Sequence, residues 1–275
     1  MRDLLATLTA DPSDHQYAIY VVCNGCTDRT REVALEYPGV DVVEIERTGK
    51  HFALNEGDRL AGQVFPRFYC DADVRINATS IVRLIECLNN GEVLAAGPFA
   101  KFETAGRSWG MRQYVKSLYS PIVANWSDAH LVGRGIYGVS RAGRERFDEF
   151  PALIADDKFF DDRFTSAEKL VVREAVVTIW TTNDLRELIR SEARVVEGNR
   201  QMSSFHNQEL LDDASGAGTV VDNRPVHHPA TTLRQWVKDV RLEECVPIAV
   251  YVMVKLVSRL YLVMLALRRK SIRWR

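Results

Sequence analysis

The chain has 275 residues, room for one core of about 200 residues and an appendage at the usual domain size of roughly 100 to 200. Its 36 basic and 37 acidic residues nearly cancel, and a composition of 46% hydrophobic and 27% charged residues excludes a disordered chain or a dedicated nucleic-acid binder. Cys23, Cys26, Cys70, Cys87 and Cys245 are odd in number and scattered, and no secretory signal opens the sequence, so a reducing, cytoplasmic compartment is expected. Cys23 and Cys26 form a lone C-x-x-C without a second ligand pair at zinc spacing.

Short runs rich in Val, Ile, Tyr and Phe alternate with helical patterns over the first two thirds, which predicts an α/β sheet with crossover helices. Tyr17 to Val22 reads as a strand, Arg29 to Tyr37 as a helix closed by Pro38-Gly39, and Val40 to Ile45 as the next strand. Lys50 to Leu60 has a helical apolar side, and Val64 to Cys70 is a strand running into acidic residues. Ile81 to Leu88 predicts a helix, Val93 to Ala96 a short strand, and the stretch to Trp126 mixed, mainly helical structure. Ile136 to Val139 is a strand, Arg141 to Phe150 a helix stopped by Pro151, and Val171 to Thr181 one or two strands. Residues 211–230 are polar, bear Gly and Pro and have no period, as expected of a linker or lid.

Asp71 and Asp73 are separated by one residue at the end of an apolar strand, where α/β sheets place ligands. Two such carboxylates suit a hard Mg²⁺ or Mn²⁺ ion bridging the phosphates of a leaving group, although such a tripeptide taken alone is more often an ordinary acidic turn. Asp156-Asp157 follows the apolar Leu153-Ile154-Ala155, a setting for a carboxylate general base or for acids decorating a helix N-terminus. His206, His227 and His228 form no ligand pattern, and Trp109, Trp126 and Trp180 read as core or pocket wall.

Taken together, Asn24-Gly25-Cys26-Thr27-Asp28-Arg29-Thr30, Gly49-Lys50-His51-Phe52-Ala53-Leu54-Asn55, Asp71-Ala72-Asp73 and Asp156-Asp157 stand in the order and approximate spacing of the family 2 glycosyltransferases, which the chain resembles over about residues 15 to 205. The segment Gly133-Arg134-Gly135-Ile136-Tyr137 looks like the acceptor-side region of bacterial members. The resemblance implies a GT-A fold: a nucleotide-binding α/β/α sandwich with a mixed, mainly parallel sheet over residues 1–210, here with a C-terminal helical extension over 231–275. It implies that Asn24, Gly25 and Asp28 meet the nucleotide, that Lys50, Asn55 and Asp71 lie by the donor, and that Asp73, with Asp71 beside it, holds the divalent metal. Asp157 becomes the general base with Asp156 beside it, and Arg200 in Glu197-Gly198-Asn199-Arg200-Gln201 stands where relatives bind the diphosphate. One departure is plain. Met1-Arg2-Asp3-Leu4-Leu5 looks like the first helix of the family, so its usual first strand is missing ahead of it.

Cys245 to Leu267 is strongly apolar and leads into Arg268-Arg269-Lys270. Lys255 and Arg259 weigh against a span, since each costs about 2.5 to 3.5 kcal/mol near a helix centre. With Ser258 they share one helical side, which favours an amphipathic helix in a membrane interface over a span or internal packing. The expected protein is an inverting hexosyltransferase. It takes a nucleotide-sugar donor and a saccharide or lipid-linked acceptor for envelope polysaccharide or glycolipid, peripheral to the cytoplasmic side of the membrane through residues 245–275. The alternative is a silent scaffold that keeps the fold without donor binding.

Overall fold

The computed structural model describes residues 1–10, 17–120, 130–214 and 242–268. Most of the expected linker, together with Trp126, His227 and His228, lies outside them. In chain order the elements begin α1 (Arg2–Leu8), β1 (Ile19–Asn24), α2 (Thr30–Leu35), β2 (Val40–Ile45), α3 (Lys50–Ala61), β3 (Arg67–Cys70) and β4 (Arg75–Ile76). There follow α4 (Ala78–Asn89), β5 (Ala95–Glu103), α5 (Trp109–Leu118), β6 (Ile136–Val139), α6 (Arg141–Arg144) and α7 (Asp156–Asp161). The chain closes with β7 (Lys169–Trp180), α8 (Leu185–Ala214) and, after a 3-10 turn, α9 (Cys245–Leu267). Two compact units form, one of residues 1–101, 130–152 and 156–179, the other of 102–129, 153–155 and 180–275.

In the first unit β1 and β2 pair in parallel, from Ile19 opposite Val40 to Asn24 opposite Ile45. A second sheet has the order β3-β6-β5-β7-β4, with antiparallel pairing of β3 to β6, β5 to β6 and β4 to β7. Among the described residues no strand joins β1 to β3. Asn77 caps α4 by accepting the Ser80 N–H at 2.8 Å, and Ile81, Leu84 and Leu88 bury its apolar stripe.

Three of the boundaries that differ from the sequence reading have a visible cause. β3 starts at Arg67 because Pro66 has no N–H to give the ladder. β5 runs on to Glu103 through Gly97-Pro98, residues that disguise a strand. The helix expected over Arg141 to Phe150 stops at Arg144, whose guanidinium turns onto the Phe147 and Asp148 carbonyls and the Asp58 carboxylate. Phe150 then bonds with both its backbone groups to the Asn55 amide, at 2.8 and 3.0 Å, which a continuing helix would forbid. Beneath β3 and β6 lies an aromatic core. Tyr69 sits 4.9 Å from Phe150, and Tyr137 sits 4.5 Å from Phe160, between ring centroids.

In the second unit α8 is a 30-residue helix for which local sequence offers no strong stripe, opened by Asp184 accepting the Arg186 N–H at 2.8 Å. Met111, Tyr114 and Val115 of α5, Leu188 of α8 and Val254 of α9 form the core of this unit. Glu192 of α8 joins the three helices: it accepts the Tyr114 hydroxyl at 2.5 Å and pairs with the Lys255 ammonium. Ser258 is fully buried and donates to the Val254 carbonyl at 2.8 Å. The polar side of α9, expected to face solvent or headgroups, is thereby turned inward at Lys255 and Ser258, because α8 presents a carboxylate there. Glu192→Ala leaves an ammonium and a phenol without their acceptor, and is expected to lower unfolding free energy in urea titration by about 2 to 3 kcal/mol.

Candidate active site

The site forms in the first unit where β3 ends. The Asp71 N–H donates to the Gly135 carbonyl at 2.7 Å, holding the acidic turn against the loop that enters β6. That approach requires glycine, since Gly135 has φ +68° and a Cβ there would lie 2.2 Å from Val74 Cγ1. Lys50 is the first residue of α3, entered through Gly49 at φ +136°. Its Nζ lies 2.7 Å from Asp71 Oδ1 and 3.0 Å from Asp156 Oδ2. Burial alone would lower the Lys50 pKa, but the Asp156 and Asp71 carboxylates outweigh it and hold the ammonium above the ordinary lysine range.

Asp156 is only 3% exposed and also accepts the Tyr137 hydroxyl at 2.8 Å. Burial and that carboxylate keep the phenol protonated far above its usual range. Asp157, the next residue, is partly exposed and held by backbone alone, with Oδ2 accepting the Gly133 N–H and Oδ1 the Lys158 N–H, both at 2.8 Å. Burial first, then the Asp156 charge, push its pKa up to about 6, while the Gly133 N–H and Lys50 pull the other way. The two neighbours therefore differ: Asp156 is tied into an ion pair, and Asp157 is a weak acid poised near neutrality.

One turn further along α7, the fully buried Asp161 accepts the Leu131 N–H at 2.7 Å and pairs with Lys169 at 2.7 Å and with His130. Burial would raise its pKa, but His130, Lys169 and the Leu131 N–H hold it below the usual carboxylate range. Asp157 and Asp161, four apart on one helical face, thus grip residues 133 and 131 of a single loop. Asp161, His130 and Lys169 were not picked out by sequence reasoning, and Tyr137 stood there only as the last residue of the Gly133 to Tyr137 segment. The i, i+4 spacing of the two carboxylates was the signal available, but their partners lie 24 and 30 residues away in the chain.

The structure brings together Lys50, Asp71, Asp156 and Asp157 among the expected residues. Asn24 ends β1, and the Gly25 N–H donates to the Ile45 carbonyl at 3.0 Å. Asp28 folds onto the Thr30 hydroxyl and N–H, which lower its pKa, and so shapes the loop before α2. Asn55, expected by the donor, instead has its amide committed to the Phe150 backbone, because the chain there lacks helical partners. Arg200 is exposed on α8 and paired with Glu197 at 2.8 Å, within the second unit.

Asp73 is exposed beside Asp71. Among the described residues no three His, Cys, Asp or Glu side chains converge as a ready-made cage. A hard divalent ion commonly takes one or two carboxylates and completes its shell with substrate phosphates and water, and the Asp71 and Asp73 pair fits that donor set.

No family model and no curated protein matches the sequence. Among solved structures, the chain is similar to a mannosyltransferase from Pyrobaculum calidifontis in complex with GDP-Man and Mn²⁺, at TM-score 0.54 and 16% identity over 97% of this chain and 72% of that one. The chain has a GT-A glycosyltransferase fold. It is also similar to TarS 1-349 of S. aureus in complex with UDP, at TM-score 0.47 and 15% identity over 71% of this chain and 61% of that one. Glucosyl-3-phosphoglycerate synthase of Mycobacterium tuberculosis gives TM-score 0.47 and 18% identity over 70% and 74%. Within the GT-A fold of this chain, the carboxylates gather at the carboxyl end of β3, the ligand-bearing side of an α/β sheet.

Asp161→Ala would leave the Lys169 ammonium buried without its carboxylate. The expected loss is about 3 to 5 kcal/mol of stability, read by denaturant titration.

Proposed function

We propose that this protein is an inverting glycosyltransferase that moves a hexose from a nucleotide-diphosphate sugar to an acceptor hydroxyl. The observation that carries the reading is the placement of Asp157 next to the Lys50, Asp71 and Asp156 ion pair, with a pKa of about 6, within a GT-A fold. Asp157 takes the proton of the acceptor hydroxyl, whose oxygen attacks the anomeric carbon as the bond to the diphosphate breaks on the opposite face. Lys50, at the positive end of α3, faces the negative charge that develops on the leaving diphosphate. Asp73 and the second oxygen of Asp71 would hold Mg²⁺ or Mn²⁺, which supplies further neutralisation of that charge. The mannosyltransferase similar in fold was solved with GDP-Man and Mn²⁺, which supports a donor and an ion of this kind. Asn24, Gly25 and Asp28 shape the loop proposed for the nucleotide. Arg200 is the weakest member of the proposed donor set, being exposed and paired with Glu197.

The acceptor is proposed to be a saccharide or lipid-linked group for cell-envelope polysaccharide or glycolipid, reached from the cytoplasmic side of a membrane. The apolar α9 supports that location. The second reading, a silent scaffold, is favoured by one observation: β1 and β2 stand apart from the five-stranded sheet.

The reading is tested by release of nucleoside diphosphate from a panel of UDP- and GDP-sugars with Mn²⁺ or Mg²⁺. Asp157→Asn is expected to lower kcat by about a thousandfold, because the amide keeps an acceptor for one backbone N–H but cannot take the acceptor's proton. Asp73→Ala should abolish metal dependence. For the wild type, protonated Asp157 cannot accept a proton, so kcat/KM rises with pH through an acid limb at about 6 and levels above it. Activity in Asp157→Asn equal to wild type would remove Asp157 as the base, and no metal-dependent heat on titration with UDP or GDP would favour the scaffold.

A further inference from the structure

The inward turn of Lys255 on α9 removes the main objection to a lipid contact and creates a surface that the transfer reaction does not use. Lys255 is paired to Glu192 and Ser258 is buried, so the polar side of the helix is spent inside the second unit. On the opposite side Val246, Met253, Leu256, Leu260, Val263 and Leu267 are 48 to 80% exposed. At about 100° per residue they fall within an arc of roughly 100°, the width of a complete apolar face. Arg259 lies exposed at the border of that arc, where its long stem can stay on the apolar side while its guanidinium reaches out. Arg268 follows the helix, and the sequence beyond adds Arg269, Lys270, Arg273 and Arg275.

We propose that the outer face of α9 docks in the plane of an anionic lipid bilayer, with the apolar arc among the acyl chains near the headgroups and the arginines on the lipid phosphates. A face this apolar has no favourable exposure in water, and cations at its border and end match the negative surface potential of an anionic leaflet. The helix lies on the bilayer rather than crossing it, because its other side is the core of the unit with Val254, Tyr251 and Tyr114. This deepens the membrane location proposed above by naming the face and the lipid charge, and it holds or fails without any reference to sugar transfer.

The experiment is co-sedimentation of the full chain with vesicles of phosphatidylglycerol and phosphatidylcholine, against phosphatidylcholine alone, with light scattering and thermal melting alongside. Binding is expected to anionic vesicles, weakened by salt. The Leu256→Glu, Leu260→Glu double variant should lose about tenfold or more of that binding while its Tm stays within a few degrees, since both side chains face outward. Lys255→Ala should melt earlier yet still bind. The proposal is overturned if wild type ignores anionic vesicles, or if the double variant binds as well as wild type. It is also overturned if wild type is a stable dimer that the double variant dissociates, which would give the face to a second copy. A double variant that melts far below wild type would show the face covered by the protein's own chain and would overturn the proposal as well.

Discussion

The candidate site depends on one ammonium. Lys50 Nζ sits between Asp71 and Asp156, carboxylates contributed by the turn after β3 and by the start of α7, far apart in the chain. The two acids close together repel, and Asp156 is buried as well, so the shared ammonium offsets both costs. With Lys50 paired to both, three elements that have no sequence relation are fixed to one another. The N-terminus of α3 brings its own partial positive charge to the same spot.

That arrangement also separates the tasks of two adjacent aspartates. Asp156 has an ammonium and a phenol for partners, whereas Asp157 has two backbone N–H groups and the charge of its neighbour. Hydrogen bonds from amides compensate a carboxylate less than a cation does, so burial prevails at Asp157 and its proton is held to near neutral pH. The loop that supplies the Gly133 N–H is in turn pinned through Leu131 to Asp161, and through the Gly135 carbonyl to Asp71. Asp157, the loop and the acidic turn thus share a single hydrogen-bonded frame.

The second unit solves a different problem with the same physics. A helix as apolar as α9 carrying a lysine at its middle would be poor in either water or lipid, and Glu192 resolves this by taking the lysine inside. What remains on the outside is a hydrocarbon face bordered by arginine.

Much of the fold was legible because it is written in local pattern. β2 and β6 fall where alternation and β-branched residues place them, and α3 and α4 follow their apolar stripes and caps. The ordered motifs placed Lys50, Asp71, Asp156 and Asp157 among a longer list of candidates, and the structure brings these four near one another. Local pattern does not carry long-range partners. That Arg144 would end its helix on Asp58, that Asn55 would bond the Phe150 backbone, and that Tyr137 would face Asp156 all depend on segments 19 to 95 residues apart meeting in space. The sequence alone shows which residues carry the charge and which supply the apolar side chains of α9. Only the tertiary structure decided which carboxylate lies against an ammonium and which is held by backbone N–H groups, and which side of α9 is turned inward, because desolvation and ion pairing are properties of surroundings that the chain acquires on folding.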